Sequence, residues 1–200
     1  AEWSPGERLP FIRLPETSGF PRACNKGMRM ASGDQILLLN NDVVVTPRWL
    51  ENLLDALHAS EGIGAVGPVT NHAAPRQRID LAFDGPDAFV ELAGRINRPD
   101  PAKREPALAL VGFCLLIKRE VYEKAGELDE RFSPGHYEDD DYCFRIRMLG
   151  YGLRICRDTL VWHEGSASFR LGGEEAQRAL IARNRELFMA KWQADPAWFH

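Results

Sequence analysis

The sequence predicts an α/β fold, a mostly parallel, Rossmann-like sheet flanked by helices, and three observations carry that expectation. The apolar run Ile36 to Leu39 ends in Asn40-Asn41-Asp42. A run without polar alternation marks a strand buried on both faces, and strand carboxyl ends are where open α/β sheets place their ligands. Thr46-Pro47 then starts a helix, with a capping hydroxyl and a proline at the first helical position, and Trp49, Leu50, Leu53, Leu54 and Leu57 recur on one face. Far downstream, Tyr137-Glu138-Asp139-Asp140-Asp141 opens a second helix, where acids suit the positive end of the helix dipole.

The remaining elements follow in order. Leu9 to Leu14 reads as a short strand, and Gly19-Phe20 leads into a helix carrying Ala23, Cys24, Gly27, Met28 and Ala31 and ended by Gly33. Ile63 to Val69 reads as a strand. Residues 71–106 are rich in Pro, Arg, Asp and Ala, with a weak helical patch from Asp87 to Gly94, and are expected to form a mobile surface excursion. Ala109 to Lys118 is apolar enough for a second central strand, and Arg119 to Ala125 makes a short helix closed by Gly126. After a turn at Ser133-Pro134-Gly135, a helix over Asp140 to Leu149 stops at Gly150, with Tyr142, Ile146 and Leu149 inward. Leu153 to Cys156 and Thr159 to Trp162 make two short strands. A final amphipathic helix, 174–192, lines up Leu180, Ile181, Leu187 and Phe188 as core cover.

With 200 residues the chain reads as a single domain, and 44% hydrophobic residues suffice for a core without disulfide or metal staples. A net charge of −4, with arginines scattered among acids, offers no basic field and argues against nucleic acid as a partner. Cys24, Cys114, Cys143 and Cys156 show no C-x-x-C spacing and read as buried free thiols, so a cytoplasmic location is expected. No apolar stretch is long enough for a membrane span. Trp192, Trp198 and Phe199 leave apolar surface available for peripheral contact with the inner face of a membrane or a neighbouring domain.

The candidate chemistry is that of oxygen and nitrogen ligands. Asp42 by itself reads as a turn cap, and His163 as a satisfied histidine at a sheet edge. Together they supply an oxygen and an imidazole from distant parts of the chain, a combination suited to Mg²⁺ or Mn²⁺. Gly165 and Ser166 would let backbone approach a phosphate closely. The four consecutive acids Glu138 to Asp141 exceed what helix capping requires. Asp141 can pair with Arg145 at i,i+4, which leaves Asp139 or Asp140 for chemical work.

Six stretches carry a resemblance in order: Gly19-Phe20-x-x-Ala23-Cys24-Asn25-x-Gly27, Leu37 to Val45, Gly112 to Ile117, Glu127-Leu128-Asp129-Glu130-x-Phe132, Tyr137 to Arg145, and His163-x-Gly165-Ser166. Over about Leu9 to Trp192 the chain resembles the inverting family 2 glycosyltransferases of GT-A fold, nearest to the bacterial branch that builds surface polysaccharides and includes rhamnosyltransferase-like members. The resemblance implies a nucleotide-diphospho-sugar donor, UDP- or dTDP-linked, a glycan or lipid-linked acceptor, and Mn²⁺ or Mg²⁺. It puts Asp42 at the D-x-D metal ligand, with Asn40 replacing the first acid. Asp139 falls on the catalytic base and His163 on a late metal or diphosphate contact. Asn25, Gly27, Asn40 and Asn41 fall on the nucleotide and diphosphate side. Trp162, Tyr137, Gly112, Phe113 and Glu138 fall on the acceptor side. Crowding by the neighbouring acids is expected to raise the pKa of Asp139.

Members of that family begin with strands that hold the nucleotide, and this chain starts after them, so a domain truncated on its N-terminal side is expected. The sheet edge left uncovered would make self-association a risk. Two other readings stay open at this point. One is a noncatalytic module of the same fold binding a glycan or protein, motivated by Asn40; the other is a sugar-phosphate nucleotidyltransferase, which shares the layout and metal need.

Overall fold

The structure, a computed structural model, describes residues 12–14, 18–80, 82–165 and 173–199. Five of its strands form one path, β1 (Gln35–Leu39), β5 (Cys114–Lys118), β3 (Ile63–Thr70), β6 (Gly152–His163) and β2 (Val43–Val44), and β4 (Arg104–Ala107) also pairs with β6. Helices α1 (Phe20–Met30), α2 (Trp49–His58), α3 (Gly85–Ile96), α4 (Arg119–Ala125), α5 (Glu138–Met148) and α6 (Gly173–Trp192) flank it. The α/β class is as expected, but the described sheet is mixed. Only β3 and β6 run parallel; β5 lies antiparallel between β1 and β3, and β2 and β4 are antiparallel to β6. Continuous apolar runs report burial on two faces and are silent on direction, which is why the sequence misleads here.

The core fills both sides of the sheet. Leu53, Ala56 and Leu57 of α2 pack with Val66, Cys114 and Val161 on one side, and Tyr142 and Ile146 of α5 pack with Ala65, Leu115, Ile117 and Leu153 on the other. Each fully buried Leu or Ile side chain contributes about 1.5–3 kcal/mol. The helix α1 enters from Gly19 at φ +78, where an added Cβ would stand 2.5 Å from the Pro134 Cα, so glycine is required on both counts. Phe20 N–H then donates to the Pro134 carbonyl at 2.8 Å, which ties α1 to the loop before α5.

Several expectations are corrected. The Thr46 hydroxyl does not cap α2; it donates to the Leu160 carbonyl across the sheet edge, and the cap position falls to Arg48 in a left-handed conformation. Residues 71–106, expected as a mobile surface excursion, are built into the layers. Phe89 and Ala93 of α3 join the core, Gln77 and Asn97 are buried, and β4 extends the sheet. Their composition is polar overall, and a few apolar residues and buried amides supply the anchoring. The two short strands expected near the end are one strand, β6, whose register against β3 shifts between Pro68 and Val69. The second central strand begins only at Cys114, and Leu149 is exposed where α5 ends before Gly150.

The strand expected at Leu9 to Leu14 falls largely outside the described residues, and Ile12 to Leu14 are not in a strand. Cys24, Cys114, Cys143 and Cys156 are free. Among the described residues no helix is long and apolar enough to cross a membrane. Trp192 is occupied by a hydrogen bond to Asp141 and Phe199 packs against Phe144 and Phe188, whereas Trp198 is exposed.

Candidate active site

Antiparallel pairing of β2 with β6 sets Val43 opposite His163, and Glu164 N–H donates to the Asp42 carbonyl at 3.0 Å. That register brings the carboxylate at the start of β2 onto the imidazole at the end of β6, with Asp42 Oδ1 3.3 Å from His163 Nε2. Asn40 joins them, its Nδ2 3.5 Å from the same nitrogen, and its backbone N–H donates to the Phe113 carbonyl at 2.9 Å. Residues 123 positions apart in sequence thus meet through sheet pairing alone.

The orientation of His163 is over-determined. Its Nδ1 lies 2.8 Å from the His72 carbonyl, which can only accept, so Nδ1 carries the proton and a neutral ring presents the Nε2 lone pair to Asp42. Its backbone is held on both sides by one residue: Asn71 Oδ1 accepts from His163 N–H at 2.8 Å, and Asn71 Nδ2 donates to the His163 carbonyl at 2.9 Å. Phe113 stacks on the ring with centroids 5.1 Å apart at 16°. A lone pair facing a carboxylate is repulsive unless a proton or a cation lies between them. Asp42 Oδ1 and Asn40 Oδ1 are moreover buried without a hydrogen-bond partner. An imidazole whose other N–H is fixed by a backbone carbonyl, beside an unsatisfied carboxylate oxygen and an amide oxygen, fits a hard divalent cation. The set is small: among the described residues no three His, Cys, Asp or Glu side chains are grouped to hold a metal.

Asp139 sits in the first turn of α5, where its Oδ2 accepts from Gly112 N–H at 2.9 Å and its Oδ1 from Asp140 N–H at 3.0 Å. A Cβ at Gly112 would lie 3.3 Å from the Phe20 ring, a tight approach, and 3.6 Å from Asp139 Cβ, an ordinary contact. Since Phe113 carries both the stack on His163 and the carbonyl that accepts from Asn40, the dipeptide Gly112-Phe113 links the carboxylate of α5 to the Asp42–His163 pair. Asp141 is not available for chemistry, being paired with Arg145 and bonded to Trp192 Nε1.

Burial, then the neighbouring charge of Asp139, pushes the Glu138 carboxyl well above the usual range, and Oε2 has no hydrogen-bond partner. Glu138, expected on the acceptor side, is therefore buried, with its carboxyl held above the usual range. Because its folded-state pKa exceeds that of the unfolded chain, its contribution to stability is whole below the ordinary value of 4.5 and is lost as pH rises toward the raised value. Glu138→Gln, which cannot ionise, is expected to flatten this decline. Thermal melts of both proteins from pH 4 upward check it, and parallel curves would contradict it.

The other expected site residues divide. Trp162 is half-buried, packs edge-on against Phe83 and Phe89, and lines an open cavity of about 530 Å³ with Asn71, Ile79, Asp80, Ala82 and Phe83. Tyr137 stands at the start of α5, and Asn41 is exposed beside Asp42. Phe113 is buried under His163 rather than presented to an acceptor. Asn25, expected at the nucleotide, is a buried peg: it donates to the Leu128 carbonyl and Glu130, and accepts from Leu128 N–H. Gly27 lines a separate depression of about 330 Å³ with Ile12, Leu14, Ala23, Lys26, Met30 and Ala31. Ser166 lies outside the described residues.

The sequence reading missed Asn71 and His72, which hold His163. Their signal was present, since short polar residues close the apolar run of β3 as Asn40 to Asp42 close that of β1. It also missed why position 165 is glycine. Gly165 has φ +76, and a Cβ there would meet the His72 ring at 2.2 Å. Gly165→Ala is expected to cost about 1–3 kcal/mol and to displace His72, read as a lowered denaturation midpoint with shifted His72 and His163 ring resonances. Unchanged stability and resonances would contradict this packing.

The chain is similar to several known proteins. The chain is 31% identical over 175 residues to the O-antigen biosynthesis protein RfbC of Myxococcus xanthus, covering 82% of this chain and 13% of that protein. It is 26% identical over 228 residues to the N-acetylglucosaminyl-diphospho-decaprenol L-rhamnosyltransferase of Mycobacterium tuberculosis, covering 96% of this chain and 73% of that one. It spans 22% of an uncharacterized protein, y4gI, of Sinorhizobium fredii at 26% identity. The chain thus spans well under a quarter of two of these relatives. The crystal structure of GalNAc-T7 with UDP, GalNAc and Mn²⁺ superposes with a TM-score of 0.57 at 17% identity, over 76% of this chain and 31% of that one, and shows the shared GT-A fold. The profile of the family described as glycosyltransferase-like family 2 matches residues 2–185, and the chain belongs to that family.

Proposed function

We propose that this chain transfers a sugar, with inversion at the anomeric carbon, from a UDP- or dTDP-linked donor to a hydroxyl of a glycan or lipid-linked acceptor in bacterial surface polysaccharide synthesis, on the cytoplasmic side of the membrane. The observation that carries the proposal is the Gly112-Phe113 bridge, which links the Asp139 carboxylate to the Asp42–His163 pair. In the proposed reaction Asp139 takes the proton of the acceptor hydroxyl as its oxygen forms a bond to the anomeric carbon. The bond from that carbon to the diphosphate oxygen breaks with its electron pair, and the proton leaves Asp139 to solvent after product release. Asp42, His163 and the Asn40 amide oxygen would hold Mn²⁺ or Mg²⁺, which when bound neutralises charge on the leaving diphosphate. The lipid-linked acceptor class is supported by the name of the mycobacterial relative, and the metal by the chemistry of the donor set.

The test is proton magnetic resonance of the product formed from α-linked donors in the presence of Mn²⁺. A β-linked product supports the proposal. A retained α configuration would refute inversion. A folded protein that binds glycan without releasing nucleoside diphosphate would favour the noncatalytic module, the reading that Asn40 in place of an acid supports.

A further inference from the structure

The helix α6 does more than cover the core. The loop that delivers Asp139 is conformationally costly, because His136 and Tyr137 are successive non-glycine residues at φ 72 and 71, and α5 starts without a side-chain cap. Each residue held in that left-handed region costs about 1–2 kcal/mol, so such a loop persists only where its surroundings fix it. Here two neighbouring residues of α6 do so. Asn184 is fully buried and its Nδ2 donates to the carbonyls of Phe132 at 2.8 Å, Gly135 at 2.8 Å and His136 at 3.0 Å. Arg183 Nη2 donates to the carbonyls of Arg131 at 3.0 Å and Ser133 at 2.8 Å, while its Nε donates to Asn184 Oδ1 at 2.9 Å. The Pro134 carbonyl, which neither reaches, accepts from Phe20 N–H.

Every backbone carbonyl from Arg131 to His136 thus has a donor, and five of the six accept from Arg183 or Asn184, whose amide shares its two hydrogens among three of them; that of Phe132 also accepts from Gly135 N–H at 3.0 Å. One helical turn and two turns further on, the same face supplies Phe188 to the core and Trp192 to Asp141, so both ends of the turn that carries Asp139 are gripped by one helix. An amide with no reach to substrate therefore sets where the carboxylate stands.

We propose that Asn184, supported by Arg183, is a positioning residue for Asp139, a role that rests on the reading of Asp139 as the base. The reporter is remote from the substitution: Gly112 N–H, whose acceptor is Asp139 Oδ2. In Asn184→Ala, hydrogen exchange at Gly112 followed by magnetic resonance is expected to accelerate about tenfold or more. Release of nucleoside diphosphate from a mixture of UDP-glucose, UDP-N-acetylglucosamine and dTDP-rhamnose with Mn²⁺ is expected to fall by a similar factor. Arg183→Ala, on the exposed side of α6, spares the core and should show a smaller change of the same kind. Asn52→Ala removes an equally buried amide that serves the Asp158 carbonyl, and should lose stability with Gly112 exchange unchanged. Unaltered Gly112 exchange in folded Asn184→Ala and Arg183→Ala would overturn the proposal, as would the same acceleration in Asn52→Ala. If Asp139→Asn turned over as fast as the parent, the base reading would fail, while Gly112 exchange would still judge the positioning role.

Discussion

Replacing Asp139 by Asn is expected to lower the transfer rate by about 10²- to 10⁴-fold, the range a positioned general base supplies, and to leave the fold unchanged. The substitution is nearly isosteric, and an amide oxygen can still accept from Gly112 N–H, as the carboxylate does at 2.9 Å, at the loss of the bond that Oδ1 accepts from Asp140 N–H. What it removes is the capacity to take a proton. Two of the neighbours are otherwise engaged: Glu138 is buried with its carboxyl held above the usual range, and Asp141 is committed to Arg145 and Trp192. Nucleoside diphosphate release under saturating donor, with circular dichroism melts alongside, checks the expectation. A rate within a few-fold of the parent would move the base elsewhere in the cluster.

The largest effect on stability is expected far from the chemistry, at Arg104. This guanidinium, 6% exposed, pairs with Asp158 at 3.0 Å and Asp55 at 2.7 Å, and Asp158 has no exposed side-chain surface. Asp158 Oδ2 also accepts from Asp100 N–H, while Oδ1 has no partner. Arg104→Ala strands a buried carboxylate and should cost about 3–5 kcal/mol. Replacing Arg104 and its buried partner by neutral residues, Arg104→Met with Asp158→Asn, should recover much of that loss, because no buried charge is then left unpaired and Asp55 is exposed. Urea unfolding of the single and double variants decides the matter. A single-variant loss under about 1 kcal/mol would mean that water or Lys103 compensates the carboxylate.

Both effects depend on features that the sequence shows unequally. The strand ending in Asn40 to Asp42, the helix opened by the acids of Glu138 to Asp141 and the apolar stripe of α2 are legible because each is a local pattern: a run, a cluster of first-turn acids, a period. Pairing direction is not local. Nothing in Cys114 to Lys118 indicates that it lies between β1 and β3 and opposes both. The same holds for residues 71–106, whose order rests on Gln77, Asn97 and Phe89 meeting the sheet from a distance.

For the site, Asp42 and His163 stand out by residue type and position, Asp139 is preferred to Asp140 only through the family resemblance, and the structure brings Asp42 and His163 into contact. Assignments that depended on which way a side chain faces fared differently. Asn25, Phe113 and Glu138 look available in sequence and are buried in the fold. Amides that hold backbone are the hardest group to read, since Asn25, Asn71, Asn97 and Asn184 each do so far away in sequence. A polar residue in a helix gives no sign of whether it meets water or a carbonyl.

The measurement that bears most directly on the central claim is calorimetric titration of the protein with UDP and with dTDP, with and without Mn²⁺, repeated on Asp42→Ala. If Asp42 and His163 form the cation-dependent diphosphate site beside Asp139, at least one nucleotide binds in a Mn²⁺-dependent manner, and the variant weakens that binding by about 10- to 100-fold. Binding that ignores both Mn²⁺ and the loss of Asp42, or no binding by the folded protein, would contradict the account.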